Sequence, residues 1–401
     1  MSCGGPTAQA NGVPLAEVLR AGLSAAPPRL PSAHWRVLNA LLACRTPALG
    51  GHRYWCQDCD RTHFVPHSCR NRHCPLCQGQ AARAWLKQQQ EALLPVPYFH
   101  VVFTLPHDLN PLLRQNQSAL YRLLFDAVSQ TLLEFGRHRF GAQLGVTAVL
   151  HTWSQTLLDH YHLHCIVTGG GLTPDGAQWV AAQPHYLFPV KALSAVYRGK
   201  FCTGLHELYA AGGLQFHGQL VGLARRDDFQ RLVQQAGRHP WVVYAKRPFA
   251  GPQQVLAYLS RYTHRVAITP SRLRALDPQA RTVAFTWKDY ADGSKRKTMT
   301  LSVTEFLRRF CLHLLPERFV KIRHYGLHGN RQRHSRLAQA WVALAQESRT
   351  SISVETGITD PLPKPPPPRV CPFCSSQRLW LVEIVPPVRR PLVLLRPLDS
   401  S

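Results

Sequence analysis

Apolar residues recur at helical spacing in Trp35, Leu38, Leu41 and Leu42, which predicts a helix running up to Cys44. Further helices are predicted over residues 80–94, ended by Pro95 and Pro97, and over residues 112–140. Residues 98–105 (YFHVVFTL) are rich in β-branched and aromatic side chains and predict a strand, as do residues 146–153 and 163–167. Residues 283–290 and 297–303 flank Ala-Asp-Gly-Ser, a hairpin signal. Residues 252–263 and 304–315 read as helices, the second with Thr304 as N-cap, and residues 171–240 read as a mostly helical insertion. That order predicts an α+β class, with helices packed on a mainly antiparallel sheet. At the ends, residues 1–33 are expected to be poorly ordered and to carry no chemistry, apart from a short amphipathic stretch at Leu15–Ala25. Residues 348–369 contain PLPKPPPP and read as an extended linker.

Charge narrows the partner. The 401 residues hold 47 Lys and Arg against 22 Asp and Glu, a formal charge of +25, although charged residues make up only 17 % of the chain. The excess comes from a shortage of acids, and points to a polyanion such as nucleic acid before ordinary metabolite chemistry. A hydrophobic fraction of 45 % excludes a wholly disordered basic protein. No apolar run approaches the ~18 residues of a spanning helix, so no membrane partner is expected. The N-terminus lacks the basic start and apolar region of a signal peptide, so the chain is expected to stay in the cytoplasm.

In a reducing compartment cysteines point to metal more than to disulfides. Of twelve cysteines, six fall within residues 44–77, and Cys56-x2-Cys59 is separated by fourteen residues from Cys74-x2-Cys77. Four thiolates from two such knuckles satisfy the closed tetrahedral shell of structural Zn2+. Cys44, His52, Cys69 and His73 have the chemistry for a second zinc, with His63 and His67 as spares, and spacing does not settle the pairing. Arg70, Arg72 and Arg83 place positive charge beside this segment, to meet a phosphate backbone or to form a solvated face. A last pair, Cys371-Pro-Phe-Cys374, is half a knuckle with no second pair after it, which either borrows ligands from elsewhere or is a loose redox-sensitive pair.

In His160-Tyr-His-Leu-His164 the period of two puts three imidazoles on one face of a strand, where two can chelate one ion or all can be hydrogen-bonded surface histidines. In the predicted helix, Tyr258 and Tyr262 are four apart and share a face, either as a half-buried stripe or, since Val255, Leu256 and Leu259 better supply the apolar side, as hydroxyls left among Arg261, His264 and Arg265. Arg318, Lys321, Arg323, Arg331, Arg333 and Arg336 form a basic stretch interleaved with Phe319, His324, Tyr325 and His328. The cations can neutralise phosphates while the rings stack on unpaired bases; a solvated basic helix reads the same way.

Taken in order from about His34 to Gln346, CRTPALGGH at residues 44–52, SCRNRHCPLC at residues 68–77, His162-Leu-His164 with its Gly-Gly-Gly, and Tyr258-x3-Tyr262 resemble the two-tyrosine HUH transposases of rolling-circle insertion sequences, the IS91 family. The resemblance implies an HUH nuclease fold after a small zinc-binding domain, and an enzyme that nicks and rejoins single-stranded DNA at the ends of a mobile element. It implies His162 and His164 as ligands of Mg2+ or Mn2+ and Tyr258 and Tyr262 as nucleophiles, in a protein associated with a bacterial nucleoid. Arg261 and Arg265 would favour phenolate or hold neighbouring phosphates. The third metal ligand is sought first among His107, Asp108, Gln155 and His264. The expected organisation is an N-terminal segment (1–33), a zinc-binding domain (34–95), a nuclease domain (96–346, with the insertion at about 172–240) and a proline-rich tail (347–401). Two rivals remain: an initiator of rolling-circle plasmid replication built on the same nuclease core, and a zinc-dependent DNA-binding regulator without nuclease activity.

Overall fold

The computed structural model describes residues 12–25, 30–90, 93–249, 255, 263–329, 331–348 and 369–388. Its centre is a six-stranded sheet of order β11-β4-β5-β3-β7, with β6 added to β5 and every pairing antiparallel. The strands are β3 (Tyr98–Thr104), β4 (Gln143–Trp153), β5 (Asp159–Leu172), β6 (Trp179–Ala181), β7 (Val243–Phe249) and β11 (Ile322–Gly326).

Alternation sorts the two faces of this sheet. Phe99, Val101 and Phe103 of β3, Val146, Ala148 and Leu150 of β4, and Leu163, Cys165 and Val167 of β5 are buried in one core. Against them lie Leu120, Leu124 and Val128 of the helix α5 (Gln117–Phe140) and Tyr197 and Phe201 of α6 (Val190–Ala210). The residues between them, His100, His151, His162 and His164, therefore turn to the opposite face. That face is closed by Val255 and by Leu337, Ala340 and Ala343 of α9 (Arg333–Ser348), packed on Tyr98 and Ile166. At the start of β5, Asp159 is paired with Arg114 of α4 (Asn110–Gln115) and accepts a hydrogen bond of 3.0 Å from the Tyr161 hydroxyl, which anchors the strand that carries the histidines.

A second sheet, β10-β9-β8, consists of β8 (Leu273–Asp277), β9 (Thr282–Asp289) and β10 (Lys295–Ser302). Its buried Leu273, Val283 and Phe285 share a core with α1 (Leu15–Ala25), α2 (Ser32–Ala43) and α8 (Val303–Leu312). The amphipathic stretch excepted from the N-terminal segment is the helix α1, with the same bounds. α1 buries Val18, Leu19 and Leu23, and approaches α8 so closely that a Cβ on Gly22 would lie 2.8 Å from the Val303 carbonyl oxygen. The helices expected within residues 171–240 are α6 and α7 (Arg226–Gly237), and both line the main core. The cap of α8 is Ser302, not Thr304, because Ser302 and Glu305 have capping-box spacing and the Glu305 N–H donates to Ser302 Oγ at 3.2 Å.

The third sheet, β12-β1-β2, joins the two ends of the chain: β1 (Gly51–Cys56) and β2 (Thr62–Pro66) form a hairpin, and β12 (Leu379–Val385) adds to the free edge of β1. After it, α3 (Pro75–Gln90) leads back to the main sheet. The helix expected at residues 252–263 lies largely outside the described residues.

Candidate active site and metal centres

β4 and β5 pair so that His151 lies directly opposite His162. A register irregularity between His151 and Trp153 breaks the ladder beside this pair, a device that re-aims side chains next to functional sites. With His164 two positions on, three imidazoles bring ligand nitrogens within 4.8 Å of one another. The ring centroids of His162 and His164 are 4.9 Å apart, and those of His151 and His164 are 4.5 Å apart.

Neighbours orient these rings. His162 Nδ1 lies 2.8 Å from the carbonyl oxygen of His160, so it donates there and leaves Nε2 for a ligand. His164 Nδ1 is 2.9 Å from His100 Nε2, which fixes the second ring from β3. Burial, reinforced by the charge of His160, lowers the His162 pKa to about 3, and burial with the charge of His162 takes His164 well below its ordinary value. Both are neutral at pH 7, the form that ligates metal.

His151 was missed by the sequence reading. It has no His-x-His partner on its own strand, and only the hairpin register brings it opposite His162. The expected third ligands lie elsewhere. His107 stacks on His160 with centroids 5.7 Å apart, and Asp108 accepts from Gln235 at 3.0 Å. The Gln155 carbonyl accepts from Arg272, and His264 packs 5.8 Å from the Trp85 ring. Tyr258, Tyr262 and Arg261 lie outside the described residues. Val255, three positions before Tyr258, is buried against Ile166 on the histidine face.

The basic residues are dispersed. Arg265, Lys321 and Arg72 line a small cavity of about 20 Å³ with His73, Trp153 and His313. Lys321 is not a surface cation as expected: its Nζ donates to the Arg265 carbonyl at 2.7 Å, and burial, with the charges of Arg72 and Arg265, lowers its pKa to about 7. Arg323 leans on the Phe125 ring at 4.3 Å, on the helical face of the sheet, because β11 turns alternate residues to opposite sides. Arg333 ties α9 to α3 by donating to Gln89 Oε1 at 2.9 Å, whereas Arg318 and Arg331 are exposed. A larger groove, unanticipated apart from Arg265 and about 580 Å³ in volume, is lined by Arg265, Arg274, Trp287, Lys288, Tyr290 and Arg296.

Among the described residues eight cysteines form two clusters, neither of them the foursome Cys56, Cys59, Cys74 and Cys77 grouped by spacing. In the first, Cys44, Cys69, Cys74 and Cys77 lie within 4.8 Å of one another. The contacts Cys44–Cys77, Cys44–Cys74 and Cys69–Cys77 measure 3.6, 3.5 and 3.7 Å. A Zn–S bond of ~2.3 Å sets the edge of a tetrathiolate tetrahedron at about 3.8 Å, which these distances approach. The reason for the regrouping is the hairpin. At ~3.3 Å per residue β1 carries Cys56 roughly 17 Å away from Gly51, and β2 returns the chain so that Cys69 arrives beside Cys44. His52 and His67 face each other instead, with Nε2 atoms 3.5 Å apart. His63 stacks on Tyr54, and His73 accepts from the Leu315 N–H at 3.3 Å.

Comparison with known proteins gives these centres a context. Residues 18–105 match the family described as "Transposase zinc-binding domain", and residues 145–336 match the family described as "Putative transposase". "Putative transposase y4qJ" of Sinorhizobium fredii is 48% identical over 313 residues, 77% of this chain and 78% of that protein. "Transposase for insertion sequence element IS801" of Pseudomonas savastanoi pv. phaseolicola is 30% identical over 316 residues, 77% and 73% of the two chains. A solved structure, "Conjugative Relaxase TrwC in complex with mutant OriT Dna", is similar over 40% of this chain and 71% of its own, at 16% identity and a TM-score of 0.23. Among the described residues no helix is long and apolar enough to cross a membrane. The chain belongs to the IS91 family of insertion-sequence transposases, proteins that act on DNA, and carries their N-terminal zinc-binding domain.

Proposed function

We propose that this transposase nicks and rejoins single-stranded DNA through a 5′-phosphotyrosine intermediate, with Tyr258 and Tyr262 as nucleophiles beside a divalent ion held by His151, His162 and His164. The observation that carries the reading is the histidine cluster: three mutually facing imidazoles on adjacent strands, two of them held neutral by burial, in the half of the chain that matches the transposase family. Their chemistry fits an ion. An all-imidazole donor set suits Mn2+ or another first-row ion better than Mg2+, which prefers oxygen ligands. Such an ion, when bound, neutralises the scissile phosphate and orients it for in-line displacement.

The chain's own residues supply the rest. A free tyrosine has a pKa of ~10, so only about 0.1 % is phenolate at neutral pH, and the reaction needs positive charge near the attacking oxygen. The charge of Arg265 reaches His164, as does that of Lys321 in its protonated form, so both also act on a phosphate bound there. The tyrosine oxygen bonds to phosphorus as the bond from phosphorus to O3′ breaks. The proton lost by the phenol is regained at the departing 3′ oxygen, so the bond energy is conserved and no ATP is needed. A second tyrosine lets one DNA end stay attached while another strand is attacked. The single strand leaves the centre through the groove of Arg274, Lys288 and Arg296, where the exposed Tyr290 offers a ring for base stacking.

The test mixes purified protein with labelled single-stranded DNA carrying the flanking ends of its own gene, with Mn2+ or with EDTA, followed by a denaturing gel. The expected result is a metal-dependent covalent adduct that is absent from the Tyr258→Phe, Tyr262→Phe double variant. DNA binding without an adduct, across metals and both strands, overturns the mechanism.

A further inference from the structure

The second cysteine cluster unites residues distant in the chain: Cys56 at the end of β1 with Cys59 just after it, and Cys371 and Cys374 before β12. The Cys371 pair lies outside both family matches, which end at residues 105 and 336. We infer that these four thiolates form a second zinc site, a clasp that fastens the C-terminal tail to the N-terminal zinc-binding domain.

Three independent observations support a built site. First, all four sulfur atoms lie within 4.8 Å of one another, with Cys56–Cys374 at 3.5 Å and Cys59–Cys371 at 3.6 Å, close to the tetrahedral edge of about 3.8 Å. Second, the two halves have the same backbone. In each, the first cysteine N–H donates to the carbonyl five residues later, Cys56 to Arg61 at 2.9 Å and Cys371 to Ser376 at 2.7 Å. In each, the residue after the second cysteine takes a left-handed φ, 52° at Asp60 and 60° at Ser375. Two unrelated loops adopting one knuckle, face to face, is what a shared tetrahedral ion demands. Third, the surrounding contacts are made between the same two ends. β12 pairs with β1 from Gly51 to Cys56, Arg53 and Glu383 form an ion pair at 2.7 Å, Asp58 pairs with Arg378, and the Gln57 N–H donates to the Arg378 carbonyl at 3.1 Å.

The physical need is also visible. β12 exposes Trp380, Leu381, Val382 and Ile384 and buries little, so strand pairing alone gives this tail a weak hold. Loading the site releases the thiol protons and ties together residues more than 300 positions apart, a closure with a large entropic cost for the chain to make unaided. The ligand is Zn2+ or another thiophilic tetrahedral ion.

The test measures metal per chain by mass spectrometry on the intact protein, and by the visible spectrum after Co2+ exchange. Wild type is expected to hold two structural ions and two tetrathiolate cobalt chromophores, and the Cys371→Ser, Cys374→Ser variant one of each. The ion kept by Cys44, Cys69, Cys74 and Cys77 serves as the folding control. Should the serine variant lose both ions, Cys374→His, which keeps a fourth ligand, must restore two. A serine variant with undiminished metal, a wild type with a single structural ion, or a Cys374→His variant that restores nothing overturns the clasp. A second readout is physical. With a protease site inserted within residues 350–368, the cut tail is expected to co-elute with the body and to separate after zinc is stripped by a strong chelator. Separation with zinc present, or co-elution without it, overturns the clasp as well.

Discussion

The histidine face of the central sheet and the cysteine-bearing sheet that joins the chain ends both gather metal ligands, but they do so by opposite routes. His151, His162 and His164 sit on one hairpin whose register is already fixed by β3, β11 and the apolar core beneath it. Their positions do not depend on an ion. The three-stranded sheet buries much less: β2 has no fully buried residue, and β12 is exposed along most of its length. There the proposed clasp would supply the order that the apolar core supplies elsewhere, whereas Cys44, Cys74 and Cys77 of the first cluster also pack in the core shared with α1, α2 and α8. On the proposed reading, a centre that would admit DNA and let it go is built on a pre-formed surface, whereas a centre that would only hold structure is allowed to be the structure.

The largest effect expected from that contrast is at the first cysteine cluster. Replacing Cys74 by Ser should release zinc from the N-terminal domain and lower its melting temperature by more than about 10 °C, because metal binding by such a site is largely its folding free energy. Calorimetry with parallel metal analysis checks this, and a loss of metal with an unchanged melting profile would break the comparison.

Next comes the histidine centre. His164→Ala should reduce nicking by about 1000-fold, roughly 4 kcal/mol in the barrier, while the protein keeps its zinc and a melting temperature within a few degrees of wild type. His151→Ala should behave alike, and this variant is the sharper one because nothing in its local sequence marks His151 as a ligand. Single-turnover cleavage with Mn2+, read beside the melting curve, separates loss of chemistry from loss of fold.

What the sequence disclosed follows from how far apart the partners lie. The paired cysteines, the His-x-His strand, the hairpin at Ala-Asp-Gly-Ser and the α+β class are local patterns, set by the two- and 3.6-residue periods and by knuckle spacing. His151 was invisible because its role depends on strand register, and the half-knuckle at Cys371 was visible without its partners because they are more than 300 residues away. The basic stretch shows the converse failure. Its residues are adjacent in sequence, yet β11 sends Arg323 to the helical face while Lys321 is turned inward to a backbone carbonyl. Composition therefore gave the polyanionic partner without giving the surface that meets it.

Acid should act on both regions for different reasons. Burial holds His100, His162 and His328 at about 3, and His264, His313 and His324 at about 4. Their unfolded value is near 6.5, so between these limits the unfolded chain binds more protons than the folded one and stability falls as pH falls. Each such histidine contributes up to about 1.4 kcal/mol per pH unit in that window, and the contribution is complete above pH 6.5. Denaturant titrations of the nuclease region between pH 7 and 4.5 should show this loss whether or not Mn2+ has been removed. The cysteine region should instead lose stability in step with released zinc, and a common, zinc-tracking decline in both would contradict the distinction.

The smallest effects belong to the groove beside the histidine centre. Arg274, Lys288 and Arg296 are exposed cations whose expected partners are phosphates, so each alanine variant should weaken single-stranded DNA binding by a similar factor whatever the sequence. Each should also reduce the slope of log affinity against log salt by about 0.7, the value for one phosphate contact on a single strand. Tyr290 is 66% exposed and acts through its ring, so Tyr290→Ala should cost about 1–3 kcal/mol of affinity and leave the salt slope unchanged. Fluorescence anisotropy at several salt concentrations distinguishes the two signatures, and with Mn2+ withheld it isolates binding from cleavage. If the groove is only a solvated face, none of the four variants will move either quantity, and the strand must leave the histidine centre by another path.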